Sequence, residues 1–379
     1  MRSKLDWKTL IARPVVLGYL LTLVAFCRST MAQDPAAPEV ITPAAQAAVK
    51  PAAEIEGLVQ RICFGSCANQ NKPQPILRDV VSRQPELFIY LGDNIYGDTV
   101  DMQVLRAKYE KLGTKPEFQA LRAAVPTMAI WDDHDYGAND SGKEYRPATE
   151  SREIFLDFWR EPQDSPRRQH PGIYHAHKFS DGKRTLQVIL LDTRSFRDSL
   201  AHNKLRSWKN DYHPDPNPDK TLLGDEQWLW LAEQLRQPAD VRIIASSIQF
   251  SHQHNGWESW TNLPQELVKM TEVIKETQAN GVVFISGDVH WGEVSKLPVP
   301  GLYPLYDVTS SGLTETWPSV EENQNRVGEI VRENNFGMIE IDWNAKDPEI
   351  HLQLIDITGK QRVSHRVPLS ELRAKGTNP

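Results

Sequence analysis

At 379 residues, with 40% hydrophobic and 25% charged positions, the chain is long enough to bury a large core and too apolar to stay disordered. Its formal net charge of −7 makes long nucleic acid a poor partner by bulk electrostatics. Composition leaves open one large α/β domain or two smaller ones.

Arg2, Lys4, Lys8 and Arg13 precede the apolar run Pro14–Phe26, which meets the small-residue segment Ser29-Thr-Met-Ala32. That layout predicts a secretory signal peptide cleaved near Ala32. The run falls short of the ~20 apolar residues a retained anchor needs, bulky Phe26 argues against lipid attachment at Cys27, and no Arg-Arg pair marks twin-arginine export. The expectation is a secreted or periplasmic protein of Sec type with no stable membrane anchor, its net charge moved to roughly −11. Residues 33–56, rich in Ala and Pro, read as an exposed spacer, with a single domain over 57–372. Cys63 and Cys67 remain, and an exported protein would ordinarily pair them. Four positions along a strand separate them by about 13 Å, so both are expected free.

Strands are predicted over 61–66, 85–94, 125–131, 241–250 and 281–291, and helices over 72–84, 102–112, 149–161, 224–237 and 264–280. Residues 172–194 form two strands about an Asp-Gly turn. After residue 300, "LYDVTSSGL", "MIEIDWN", "EIHLQLIDITG" and "QRVSHRVPL" alternate apolar and polar residues, as antiparallel strands with one covered face do. The fold class is therefore α/β, closing with an antiparallel section.

Cys67, Asp93 with Tyr96, Asp132-Asp-His-Asp135 and Asp288 with His290 each follow a predicted core strand, where open α/β sheets place ligands. In "AIWDDHDY" three carboxylates leave an apolar strand together. Adjacent carboxylates repel and are costly to bury without a cation. No basic residue lies in any of the four motifs, so metal ions are the neutralising charge that fits.

"GSC" (65–67), "LGDNIY" (91–96), "WDDHD" (131–135), "LDTRSFR" (191–197) and "SGDVHWGE" (286–293), in this order, resemble the alkaline phosphatase D (PhoD-like) branch of the calcineurin-type metallophosphoesterases. The resemblance spans roughly 61–315 and implies a two-metal phosphoesterase on a four-layer α/β/β/α sandwich. Against the general superfamily pattern, Cys67 stands for an Asp-x-His pair and Tyr96 for the second Asp of Gly-Asp-x-x-Asp. Asp133 replaces the Asn of Gly-Asn-His, and Asp288 the first His of the closing Gly-His-x-His. Thiolate and phenolate suit a trivalent ion and oxygen donors a hard divalent one, so Fe³⁺ beside Ca²⁺ is expected, as the resemblance also implies.

In the expected division of roles, Asp93 bridges the ions, Cys67, Tyr96 and His290 complete the ferric site, and Asp133 and Asp288 hold the second ion. A hydroxide shared by the metals would attack phosphorus, with His134 free to protonate the leaving alkoxide. Arg194, ahead of Arg197, is expected to grip a phosphate oxygen. Gln249, His252 and His254 are open candidates for a further ligand, as is Asn139 with Asp140, although a turn is the plainer reading of that pair. Trp257 and Trp260 would wall the cavity or pack the core. Small phosphomonoesters or phosphodiesters are the expected substrates, and the oligomeric state stays open. The alternatives are a phosphodiesterase acting on nucleotides or lipid headgroups and, from another class, a non-catalytic metal-binding envelope protein.

Overall fold

The computed structural model describes Val49, residues 51–204 and residues 210–373. The predicted signal peptide and most of the predicted spacer lie outside these. Among the described residues no helix is long and apolar enough to cross a membrane.

The strands in chain order are β1 (Arg61–Gly65), β2 (Leu87–Leu91), β3 (Thr127–Ile130), β4 (His175–Ser180), β5 (Thr185–Leu190), β6 (Ala201–His202), β7 (Tyr212–His213), β8 (Val241–Ala245), β9 (Val282–Ser286), β10 (Gly292–Leu297), β11 (Leu305–Ser310), β12 (Arg326–Val331), β13 (Asn335–Asp342), β14 (Glu349–Asp356) and β15 (Gln361–Pro368). The helices are α1 (Ile76–Ser82), α2 (Met102–Gly113), α3 (Pro116–Ala124), α4 (Asp133–Tyr136), α5 (Ala148–Phe158), α6 (Gly224–Arg236) and α7 (Pro264–Glu276).

Short apolar runs such as Leu87-Phe-Ile-Tyr-Leu91 and Val282-Val-Phe-Ile-Ser286 are buried at every position. Burial on both faces is what parallel strands require. They form the middles of two sheets, ordered β15-β14-β13-β1-β2-β3 and β12-β10-β11-β9-β8-β5-β4. In the first, β1, β2 and β3 are parallel; in the second, β5, β8, β9 and β11 are. The sheets meet where β11 touches β13 and β12 touches β15. Helices cover the outer faces, giving the α/β/β/α sandwich. Capping follows local chemistry. The Asp101 carboxylate accepts from the amides of Gln103 and Val104 to open α2, and Pro264 opens α7.

Several expectations shift. The strand predicted over 305–313 is β11, which pairs antiparallel with β10 as expected but parallel with β9 on its other side, and is wholly buried rather than wet on one face. The antiparallel reading holds for β13, β14 and β15. Strand β8 ends at Ala245, five residues before the predicted boundary, because residues 246–250 turn into a buried polar network. Helices α3 and α4 were not anticipated. Ahead of the boundary expected at 57, Pro51 bridges to Thr127 and Ala52 is buried.

Candidate metal centre

The motif residues follow strands of the parallel core, in the segments after β1, β2 and β9 and on the short helix α4 after β3. Cys67, Asp93, Asp288 and His290 all have left-handed backbone, with φ of 61°, 51°, 75° and 63°. Non-glycine residues hold that conformation only where their surroundings fix it, and such strain gathers at functional sites. Gly92, at φ +100°, lets the turns after β2 and β3 nearly touch: a Cβ there would stand 2.5 Å from the Cβ of Asp132.

These turns converge. One ligand atom each from Cys67, Asp93 and His290 lies within 4.8 Å of the others, and the same holds for Asp93, Asp133 and His134 and for Asp132, Asp133 and Asp288. The Cys67 Sγ is 3.4 Å from Asp93 Oδ2 and 3.1 Å from Ser311 Oγ, while the Tyr96 hydroxyl is 3.2 Å from His290 Nε2. The six expected ligands thus share one place. Cys63 and Cys67 are both free and buried.

The acidic turn after β3 separates into three jobs. Asp132 Oδ1 takes the Arg194 guanidinium and the Ser247 hydroxyl, the latter at 2.6 Å. Asp133 accepts the Asp140 amide on Oδ2 at 2.6 Å and leaves Oδ1 buried without a hydrogen bond. Asp135 closes a capping box on the amide of Asp132 and accepts from the amides of Asp93 and Asn94, pinning the turn after β2.

The electrostatics test whether cations fit. Burial and neighbouring anions raise Asp93 and Asp288 well above the carboxylate range, and burial pushes Cys67 up to about 12. Asp93 Oδ1, Asp132 Oδ2 and Asp133 Oδ1 are buried with no hydrogen-bond partner. Orphaned anionic donors at metal-binding spacing, with a thiol and an imidazole beside them, are what a cation pair would satisfy. The residues fit the group. Burial opposes charge on His134 as well, but Asp93, Asp133 and Asp98 outweigh it and push its imidazole up to about 11. Its Nδ1 is 2.7 Å from Asp98 Oδ1.

Arg194 requires correction. It has no exposure, and its guanidinium is held by Asp132 and by Glu258, the latter at 2.5 Å. Arg197 is likewise buried, 3.0 Å from Glu258 Oε1. Neither lines the cavity, so neither is placed to grip phosphate. Gln249 donates to Glu293 and Thr309, His252 lies 3.8 Å from Glu293, and His254 does not line the cavity. From that segment Glu258 and Trp257 face it instead, while Trp260 is core. Asn139 and Asp140 do line it, and Asp133, Asp140 and Glu258 have ligand atoms within 4.8 Å. Asp98, Glu258, Ser311 and Trp317 escaped the sequence reading. For Asp98 there was a signal, an acid two residues beyond Tyr96 in "GDNIYGD".

The cavity holds about 220 Å³, and Trp257 and Trp317 line it in an edge-to-face contact with ring centroids 6.3 Å apart. Among the described residues its wall carries no lysine or arginine.

A two-sheet α/β/β/α sandwich with a buried, cation-demanding donor cluster on the strand ends defines a metallophosphoesterase-type fold. The family model for PhoD-like phosphatase matches residues 62–335, and the chain belongs to that family. Alkaline phosphatase D of Bacillus subtilis (strain 168) is 25% identical over 275 residues, covering 62% of this chain. The match takes in 46% of that relative, so the chain spans about half its length. Among solved structures, PhoD aligns at 17% identity with a TM-score of 0.63, over 82% of this chain and 69% of that one. A dimetal phosphatase from Danio rerio aligns at 15% identity and 0.51, over 82% and 99%. An anchor protein of the Plasmodium inner membrane complex shares the fold at 13% identity and 0.53, over 82% and 89%. Fold alone therefore leaves activity to be argued from the site.

Proposed function

We propose that this chain is a metal-dependent phosphoesterase, exported from the cell, that hydrolyses small phosphate esters and favours diesters over monoesters. The observation that carries it is the set of three interlocking donor groups sharing Asp93 and Asp133. Cys67, Asp93, Tyr96 and His290 would hold one ion, Fe³⁺ being the best match to thiol and phenol. Asp93, Asp133 and Asp288 would hold the other, for which Ca²⁺ is the best match. Bound there, the ions supply a nucleophile from water and neutralise charge on the phosphoryl group.

The chain's own residues do the rest. Asp98 orients the His134 imidazole, which stands at the cavity to pass a proton to the departing alkoxide oxygen. Asp132, with Arg194 and Ser247 behind it, holds the turn that carries Asp133 and His134. The diester preference rests on the wall, where Trp257 and Trp317 offer apolar faces to a second ester substituent.

Rates on p-nitrophenyl phosphate and bis-p-nitrophenyl phosphate, run on metal-analysed protein, test this. The expected result is iron in the purified protein, faster turnover of the diester, and loss of both iron and charge-transfer colour in Cys67→Ala. Full activity in protein free of metal would overturn the reading.

A further inference from the structure

A second set of unsatisfied polar groups lies away from the metal centre, where the edge of β3 faces β4. Arg122, on α3, is 95% buried, from a residual exposure of 5%. Among the described residues no carboxylate pairs with it, and its buried Nε has no hydrogen-bond partner. The guanidinium carbon lies 5.0 Å from the Trp159 ring centroid and 5.7 Å from that of Phe118. Stacking of this kind holds an arginine in place without neutralising it.

Three more buried donors beside it are also unpartnered: the Trp159 indole N–H, the Tyr90 hydroxyl and the Thr127 hydroxyl. Tyr90 and Trp159 pack with ring centroids 5.0 Å apart, and Tyr90 is 5.9 Å from Phe118, so the donors belong to one cluster. Arg122, Thr127 and Trp159 line a cavity of about 360 Å³, and Arg122 also borders a smaller one of about 120 Å³ walled by Phe118 and Phe158. The nearby acid is already taken: Glu161 pairs with Arg167 at 3.4 Å and accepts from Ser165 at 2.5 Å. His175 and His177, on β4, are shifted down by burial, so they add no second positive charge beside Arg122.

Native proteins leave few buried polar groups unpaired, and each needs an explanation. Of these four unpaired groups the Arg122 guanidinium and the Trp159 indole can only donate, the two hydroxyls can donate beside them, and one is a fixed cation, so together they call for an anion that accepts several hydrogen bonds. The aromatic rings around them call for an apolar body behind it. We propose that this cluster is a binding site for a ligand bearing an oxyanion, a carboxylate or a phosphate, with the charged end on Arg122 and Trp159. The site is separate from the metal centre and does not depend on the activity proposed above.

The test uses the full metal-loaded chain, with benzoate and inorganic phosphate as probes. The readout is the ¹⁵N-indole resonance of Trp159, assigned by its disappearance in Trp159→Phe. Saturable movement of that resonance is expected with at least one probe, benzoate alone marking an organic carboxylate ligand and phosphate alone a phosphate-bearing one. Arg122→Met keeps the bulk and removes the charge, and should weaken the response at least tenfold while ester hydrolysis is unchanged. Should that variant fold poorly, Trp159→Phe serves in its place. Losing one donor to a charged acceptor should weaken binding, measured by titration calorimetry, roughly 10- to 100-fold. A Trp159 resonance unmoved by either probe, or a response identical in Arg122→Met, overturns the proposal.

Discussion

The imidazole of His134 is turned by its neighbours: Asp98 takes Nδ1, and the Tyr96 ring packs against it, tilted by 36°, at 4.3 Å between centroids. In the role proposed for it, His134 would donate its proton to the leaving group. His134→Ala is therefore expected to keep its metal and lose turnover by roughly 10²- to 10⁴-fold on alkyl esters. The loss should be smaller on p-nitrophenyl esters, whose leaving group needs no proton; rates on both, with metal content measured alongside, check this. Arg194 makes the opposite case. Its removal strands Asp132 in a buried place with no countercharge, so Arg194→Gln should cost about 3–5 kcal/mol of stability, read from denaturant midpoints. An arginine gripping substrate would instead raise KM and leave stability alone.

At the scale of elements, the turn after β2 is the tightest constraint on the site. Gly92→Ala would add a methyl at φ +100° and drive it into Asp132, so a loss of more than about 1 kcal/mol is expected, together with weaker metal retention. Thermal denaturation and metal analysis of that variant decide it. Much of this layer was legible in the sequence. The runs at 61–66, 85–94 and 281–291 read as buried strands because parallel strands are apolar on both faces, and the candidate ligands then fell at their ends. Strand β11 misled because "LYDVTSS" alternates, yet its polar members are buried: Asp307 accepts from Phe250, Ser251 and Ser286 and needs no water. Arg194 misled for a related reason. A sequence shows a guanidinium at the end of a strand but not the Glu258 that comes to meet it from 64 positions away.

Over the whole molecule, buried acids that bind protons too tightly set the pH response. Burial raises Asp93 and Asp288 well above the ordinary carboxylate value near 3.8 and raises Asp135 to about 7. Folding thus favours their protonated forms. That contribution is complete below about pH 4 and is lost as pH climbs through 7. The chelated protein should accordingly lose stability from pH 5 to pH 8. In the metal-loaded protein cations offset the charge, so the gap in Tm between the two forms should widen with pH. A gap that narrows would contradict this picture. Metal uptake should strengthen over the same range, since Cys67 must surrender the proton that burial holds on it.

The donors around Asp93 come from both sheets, with Cys67 after β1 in one and Asp288 and His290 after β9 in the other. More than two hundred residues separate them, so the cluster can exist only once both halves of the chain have formed and docked. Ions bound there would clasp two layers that must part before the chain can unfold. Their effect should accordingly fall on the rate of escape from the native state and hardly at all on the rate of reaching it. In denaturant-jump experiments the metal-loaded protein is expected to unfold many times more slowly than the chelated one, while both refold through their first phase at the same speed.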